Sequence, residues 1–398
     1  MKTPSRIAGR EFLHSPGPSH IPDRVLAAMH RQPLDLVDGR IQAVAQSCFD
    51  GLKSVFRTEG HTFIYASNGH GGWEAALSNI CQPGDAVLVP EVGHFSNNWA
   101  AHARALGLEV ELIESDWRSP IDTAEVERRL RADTGGRIKA VLAVQIETAT
   151  GVVNDIPAIR AAIDAAGHPA LLVADVIASL AAMPFEMDAW GVDVAIAASQ
   201  KALMCPPGLT LLAANTRATD LSASLPRHQR YWDWTPRLRT DSSSRFNGTM
   251  PEHMLFGLRE ALGLIAQEGL PAIHARHARL AGAVQAAVEA WSGGGELSLN
   301  VADPAQRAVT VTTIRTPEGV ADRIRLHARE TIGVSVAGGL GRLAGTAFRI
   351  GHLGDVNEPM ILGCLGAVEM ALIELGVRHE PGVRAAIEHL AKARGELA

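Results

Sequence analysis

Seven short apolar runs alternate with amphipathic segments between residues 61 and 214, and that alternation restricts the fold more than any other feature of the chain. The runs are HTFIYA (61–66), AVLVP (86–90), LEVELIE (108–114), IKAVLAV (138–144), ALLVAD (170–175), VAIAA (194–198) and LTLLAA (209–214). Their lengths suit strands, and the most continuous ones suit strands buried on both faces. The intervening GGWEAALSNI, FSNNWAAHARALG, TAEVERRLRAD and IPAIRAAIDAAG carry helical spacing, and two of them end at Gly107 and Gly167, as helix C-caps favour. Strand alternating with helix predicts an α/β fold: a mainly parallel sheet flanked by helices, joined by right-handed crossovers. Ligands of such sheets bind beyond the carboxyl ends of the strands.

The texture changes near residue 251. Two long helical patterns, PEHMLFGLREALGLIAQEGL and AIHARHARLAGAVQAAVEAW, are separated by Gly269–Pro271, and residues 308–398 then mix AVTVTTI, VADRIRLHARETIG, VSVAG, FRIGHLG and two terminal helices. A chain of 398 residues is long enough for two domains. We therefore expect an N-terminal arm (1–20), a large domain (21–265) and a smaller C-terminal α+β domain (266–398). Four widely spaced cysteines, Cys48, Cys81, Cys205 and Cys364, form no metal-ligand pattern, so no metal is expected and a reducing, cytoplasmic setting fits. The first residues meet proline and charge before any signal-like apolar run, and no apolar stretch is long enough to span a bilayer. With 37 basic and 43 acidic residues the net charge is −6, which offers no general attraction for nucleic acid or an anionic membrane. An acidic small molecule would need a local basic residue.

Three constellations can carry chemistry. In YASNGHGGWEAALSN a strand ends at Ala66, a glycine-rich turn spans Ser67 to Gly72, and a helix is expected from about Trp73. Free N–H groups at a helix start bind anions, although a plain strand-to-helix connection reads the same way. Asp175 closes an apolar strand, where a carboxylate meets a ligand or simply caps the next segment. Lys201 follows VAIAASQ in a stretch nearly free of other charge; a desolvated lysine has the lowered pKa of a Schiff-base nucleophile, and a solvated one at a strand end is the alternative. Asp175 and Lys201 lie on successive strands, with the glycine-rich turn about a hundred residues ahead of them. That order is what a pyridoxal 5′-phosphate enzyme needs: phosphate anchor, acid for the ring nitrogen, then lysine.

At these residues the chain resembles the class V aminotransferases of pyridoxal-phosphate-dependent fold type I, above all the serine–, alanine– and aspartate–glyoxylate aminotransferases. The resemblance runs from SPGPSHIP (15–22) through SNGHGGWEAALSN, GHFSNNW (93–99), IETATGV (146–152), DVIASL (175–180), SQKALMCPPG (199–208) and GTMPEHM (248–254) to FRIGHLG (348–354). It implies a seven-stranded sheet, pyridoxal 5′-phosphate as cofactor and a ping-pong transamination. Lys201 matches the Schiff-base lysine and Asp175 the partner of the ring nitrogen. Phe95 matches the aromatic stacked on the cofactor, whereas Trp73 is expected to pack inside its helix. Asn68, Gly69 and His70 match the phosphate turn, with Gln200 as a further contact. Thr148 matches a hydroxyl near the phenolic oxygen, and Glu147 is its neighbour. Thr249 matches a threonine that reaches the other subunit's phosphate, which implies a homodimer with shared sites. Arg349 matches the arginine that grips the substrate carboxylate, while Ser15 and Gly17 lie along the substrate's path.

Two departures stand out. Leu36 and Val37 replace polar residues near the shared entrance, and Phe246 stands where relatives often have a tyrosine. A lyase or cysteine desulfurase of the same fold is the rival reading. It is disfavoured because such relatives stack a histidine where this chain has Phe95, carry histidine at Gln200, and need a mobile cysteine, whereas Cys364 lies in an apolar helical pattern. Four further features are read structurally: His274 and His277 as a solvated helix face, RHQRYWDWTPRLR (227–239) as a lid or dimer-contact loop, His352 as a structural hydrogen-bonding residue, and GGLGRLAG (338–345) as a mobile loop near Arg349.

Overall fold

The computed structural model describes residues 7–226 and 229–395. Every one of the seven apolar runs forms a strand of one sheet. In chain order after β1 (Phe12–His14) these are β2 (His61–Ala66), β3 (Ala86–Pro90), β4 (Glu109–Ile113), β5 (Ile138–Val144), β6 (Leu171–Asp175), β7 (Val194–Ala198) and β8 (Leu209–Ala214). The sheet order is β2-β8-β7-β6-β5-β3-β4, and only β8 runs antiparallel to its neighbours. Strands β3, β6, β7 and β8 are buried along their whole length, as strands covered on both faces must be.

Helices α1 (Gly39–Phe56), α2 (Gly69–Ile80), α3 (His94–Ala105), α4 (Thr123–Ala132) and α5 (Ile156–Ala165) are distributed among these strands. Helix α2 starts four residues earlier than the sequence suggests. The Asn68 side chain accepts from His70 N–H and Gly71 N–H, so the glycine-rich segment is itself the first helical turn. Its glycines serve close packing: a Cβ at Gly72 would lie 2.5 Å from Thr210 Cγ2 and 2.7 Å from Ile196 Cγ2. A side chain there would lift α2 off the sheet, at a cost of about 1–3 kcal/mol typical of overpacking.

A second sheet gathers the C-terminal strands β9 (Ser298–Leu299), β10 (Val311–Arg315), β11 (Val334–Gly338) and β12 (Ala347–Gly351) in the order β1-β11-β12-β10-β9. The arm strand β1 adds to its edge parallel to β11. Each sheet has its own apolar core: one runs from Val25 to Ile273, the other from Leu280 to Leu390. The two long helices α6 (Glu252–Glu268) and α7 (Leu270–Trp291) are joined at Gly269, whose φ of 84° turns the chain sharply between the two cores.

Several side chains read as surface features are interior. His277 is 1% exposed; its Nδ1 lies 2.8 Å from Ile273 O, and its Nε2 accepts from Gly354 N–H at 3.1 Å. Burial depresses its pKa to about 4, so it is a neutral structural residue and not part of a solvated face. His352 is structural, as expected, with Nδ1 2.9 Å from Val309 O and Nε2 2.9 Å from Thr312 Oγ1. The 338–345 segment is pinned: Arg342 Nη2 bonds the buried Glu91 carboxylate at 2.9 Å, and its guanidinium lies 5.0 Å from the Trp117 ring. Arg227 and His228 lie outside the described residues. The rest of the 229–239 segment covers edge strand β2. Trp234 stacks on Phe63 at 5.1 Å, and the Arg237 guanidinium lies 4.1 Å from the Tyr65 ring. Phe246 is a core residue tilted against Phe49 at 5.8 Å, Leu36 packs against the same core, and Val37 is 84% exposed.

Candidate active site

Five parallel strands deliver residues to one cavity of about 200 Å³. Beyond β2 come Asn68, Gly69 and His70. Beyond β3, the start of α3 brings Phe95, and β5 leads to Ile146 and Thr148. Strand β6 ends on Asp175 itself, and β7 leads to Gln200 and Lys201. The expected position at the carboxyl ends of the strands is where the cavity lies.

Asp175 is 4% exposed, with Oδ1 accepting from Ile177 N–H at 2.8 Å and Oδ2 accepting from the Trp73 indole N–H at 2.8 Å. The carboxylate therefore turns the chain locally and also lines the cavity. Burial pushes its pKa up to about 6, against the pull of the Ile177 N–H, the Trp73 N–H and the Lys201 charge. Across the cavity, burial and then repulsion from Arg349 bring Lys201 down to about 8, opposed by Asp175 and Glu147. Lys201 Nζ donates to Pro16 O. Ser19 Oγ donates to Lys201 O at 2.7 Å and Ser19 N–H to Gln200 O at 3.0 Å, so the arm clamps the lysine loop. Ser15 Oγ donates to Gly17 O at 3.0 Å, and Gly17 packs so closely on Lys201 that a Cβ would collide with its side chain.

Arg349 enters from β12 and is 7% exposed. Its Nε donates to Gly338 O at 2.7 Å and its Nη1 to Thr148 O at 3.0 Å. These bonds aim the fork and leave Nη2 without a protein partner among the described residues. Glu147, fully buried, accepts from Phe95 N–H (2.9 Å), Ser96 N–H (3.1 Å) and Ala149 N–H (3.0 Å). The carboxylate thus caps the helix that carries Phe95. Burial nevertheless raises its pKa to about 7, because three N–H donors do not fully replace water.

The cavity therefore combines a buried acid, an amine with a lowered pKa and an aromatic face, and an oriented guanidinium is bonded to the main chain of its Thr148 wall. Gln200 Oε1 is buried with no partner among the described residues, a polar group left for a ligand. Thr249 does not line this cavity; it is exposed on the surface. Sequence reasoning missed Trp73, whose ring lines the cavity and whose N–H reaches Asp175. Its place in the opening turns of the helix that starts at the site was the available signal, since a buried indole N–H most often finds an acceptor. Among the described residues no cluster of potential metal ligands occurs and no helix is long and apolar enough to cross a membrane.

The model of the family "aminotransferase class-V" matches residues 11–341. The serine–glyoxylate aminotransferase of Methylorubrum extorquens is 42% identical over 385 residues, 95% of either chain. The L-aspartate–glyoxylate aminotransferase of Paracoccus denitrificans is 38% identical over 94% of either chain. Among solved structures, the ureidoglycine–glyoxylate aminotransferase of Bacillus subtilis superposes with a TM-score of 0.88 at 26% identity, covering 97% of this chain and 99% of its own. The sheet order, the cavity and these likenesses agree: the chain belongs to the class V aminotransferases, enzymes of fold type I that use pyridoxal 5′-phosphate.

Proposed function

We propose that the protein moves the amino group of a small amino acid (serine, alanine or aspartate) to a small 2-oxo acid, with glyoxylate the favoured acceptor, in a ping-pong cycle at Lys201. The observation that carries this reading is that Asp175 and Lys201 line one cavity while Arg349 is bonded to the main chain of Thr148 in the cavity wall, close enough for its charge to act on Lys201. The named glyoxylate-using relatives supply the choice of acceptor.

The residues fit the cofactor. Asp175 would face its ring nitrogen, Phe95 its ring face, and Lys201 Nζ its carbonyl carbon. Asn68, Gly69, His70 and Gln200 would hold the phosphate, and Thr148 would stand near the phenolic oxygen. When bound, the cofactor supplies an electron sink for the substrate α-carbon. Asp175, anionic above about pH 6, would stabilise positive charge at the ring nitrogen. Lys201, with a pKa of about 8, is partly neutral near physiological pH, so its Nζ can take the α-proton and return it as a general acid. Pro16 O accepts from Nζ and so orients the free amine. Arg349 pairs with the substrate carboxylate through Nη2, and the same fork serves donor and acceptor because both carry an α-carboxylate. Ser15 and Gly17 line the approach to Lys201.

We further infer a homodimer in the cytoplasm. The exposure of Thr249 suits a threonine that serves the partner's phosphate, and four free, buried cysteines suit a reducing compartment. Nothing favours a desulfurase: Cys364 is 1% exposed, and burial drives its thiol pKa far up. The test is a donor panel. Loaded enzyme mixed with each amino acid, without acceptor, should yield one equivalent of 2-oxo acid per site, and glyoxylate should then give glycine. Continuous ammonia, sulfide or alanine release without a 2-oxo acid would exclude transamination.

A further inference from the structure

Trp73 is fully buried, and its Nε1 lies 2.8 Å from Asp175 Oδ2. The ring is itself held: it stacks on His70 at 4.4 Å and 17°, on Trp99 at 5.8 Å and 15°, and meets His102 edge-on at 5.5 Å. The other carboxylate oxygen is taken by Ile177 N–H, so Asp175 cannot rotate without breaking one of two bonds. This pairing is not merely a buried indole finding the nearest acceptor. Trp99, also fully buried, has an Nε1 with no partner among the described residues, so this core tolerates an unsatisfied indole.

We propose that Trp73 is a positioning residue for the reaction: its indole N–H holds the Asp175 carboxylate in the orientation, and in the ionised form, that meets the cofactor's ring nitrogen. The inference rests on the reading of Asp175 given above. Around that carboxylate the charged groups are Lys201 on its loop and Glu147 just beyond β5; the remaining donors are Ile177 N–H and Trp73 itself. Burial works against the anion, and a hydrogen bond to a charged group favours it. Removing the N–H while keeping an aromatic ring should therefore raise the Asp175 pKa by about one unit.

The experiment compares wild type, Trp73→Phe and Asp175→Asn by equilibrium dialysis of pyridoxal 5′-phosphate between about pH 6 and about pH 8.5, alongside the acid limb of the donor half-reaction. Trp73→Phe should bind the cofactor roughly five-fold more weakly at the acid end and match wild type at the alkaline end, with the acid limb moved up by about one unit. A loss of binding that is uniform with pH, or an unmoved limb while Asp175→Asn is severely impaired, overturns the inference alone. An Asp175→Asn enzyme that binds and turns over normally overturns the reading of Asp175 and the inference with it. Should Trp73→Phe fail to fold, 3-benzothienylalanine at position 73 removes the N–H at nearly constant shape and must show the same pH signature.

Discussion

Replacing Glu147 by Gln in the cofactor-free protein separates two forces that act on one buried carboxylate. In the wild type Oε2 accepts from Phe95 N–H and Ser96 N–H, and Oε1 from Ala149 N–H. A glutamine amide turns one of those acceptors into a donor. The cheaper choice sets its NH2 against Ala149 and loses one bond, a cost of about 1–3 kcal/mol. Ionisation acts in the opposite sense. Burial raises the Glu147 pKa from 4.5 to about 7 in the fold, so its stabilising contribution is complete below pH 4.5 and is lost as pH rises through 7. The full loss is about 3 kcal/mol, of which about 2.5 falls between pH 5 and pH 8. The substituted amide does not titrate, and the other titrating groups are common to both chains and largely cancel in the difference. Urea unfolding of both apoproteins should thus show wild type ahead at about pH 5, with the gap closing or reversing by about pH 8. A gap that widens toward pH 8 would refute the reasoning, because it would mean that three N–H donors and Arg349 outweigh desolvation.

Arg349→Ala should lower kcat/KM for donor and acceptor by about a hundred-fold or more while cofactor loading is unchanged. Arg349→Lys should recover only part of this, since an ammonium lacks the planar fork; steady-state kinetics on both substrates checks it. Arg342→Ala should destabilise the fold by about 1–2 kcal/mol in urea, because Glu91 keeps Asn97, Trp117 and Ser115 as donors and so is not left bare. Lys201→Ala should lose the visible absorbance that cofactor loading gives the wild type; an unchanged spectrum would remove Lys201 from its role.

The large sheet was legible because its strands are apolar runs bounded by Gly, Pro and charge, a local signal that survives without tertiary knowledge. Asp175 and Lys201 were legible for a related reason: both are polar groups set at the ends of such runs. What the sequence hid depends on partners far along the chain. Strand β1 is three residues long and exists because β11, more than 300 residues later, offers it an edge. Helix α2 begins at Gly69 because Asn68 caps it, against the poor helical propensity of Gly69, His70, Gly71 and Gly72. Arg237 lies in a segment read as a lid or dimer-contact loop, yet its guanidinium is covered by Tyr65 and bonded to Arg245 O at 2.9 Å. His277 sits in a helix rich in Arg and His, and only the distant Gly354 N–H reveals that it faces inward. Trp73 was discounted for the same reason, since its carboxylate partner lies 102 residues away.

Borohydride trapping tests the central claim most directly. Resting loaded enzyme is reduced, digested and mapped by mass spectrometry, before and after incubation with an amino donor, and again after glyoxylate is added. The account predicts cofactor fixed to Lys201 in the resting enzyme, loss of that label after the donor, and its return with glyoxylate. Label on Lys53, Lys139 or Lys392, or label on Lys201 that no donor of the panel removes, would contradict it.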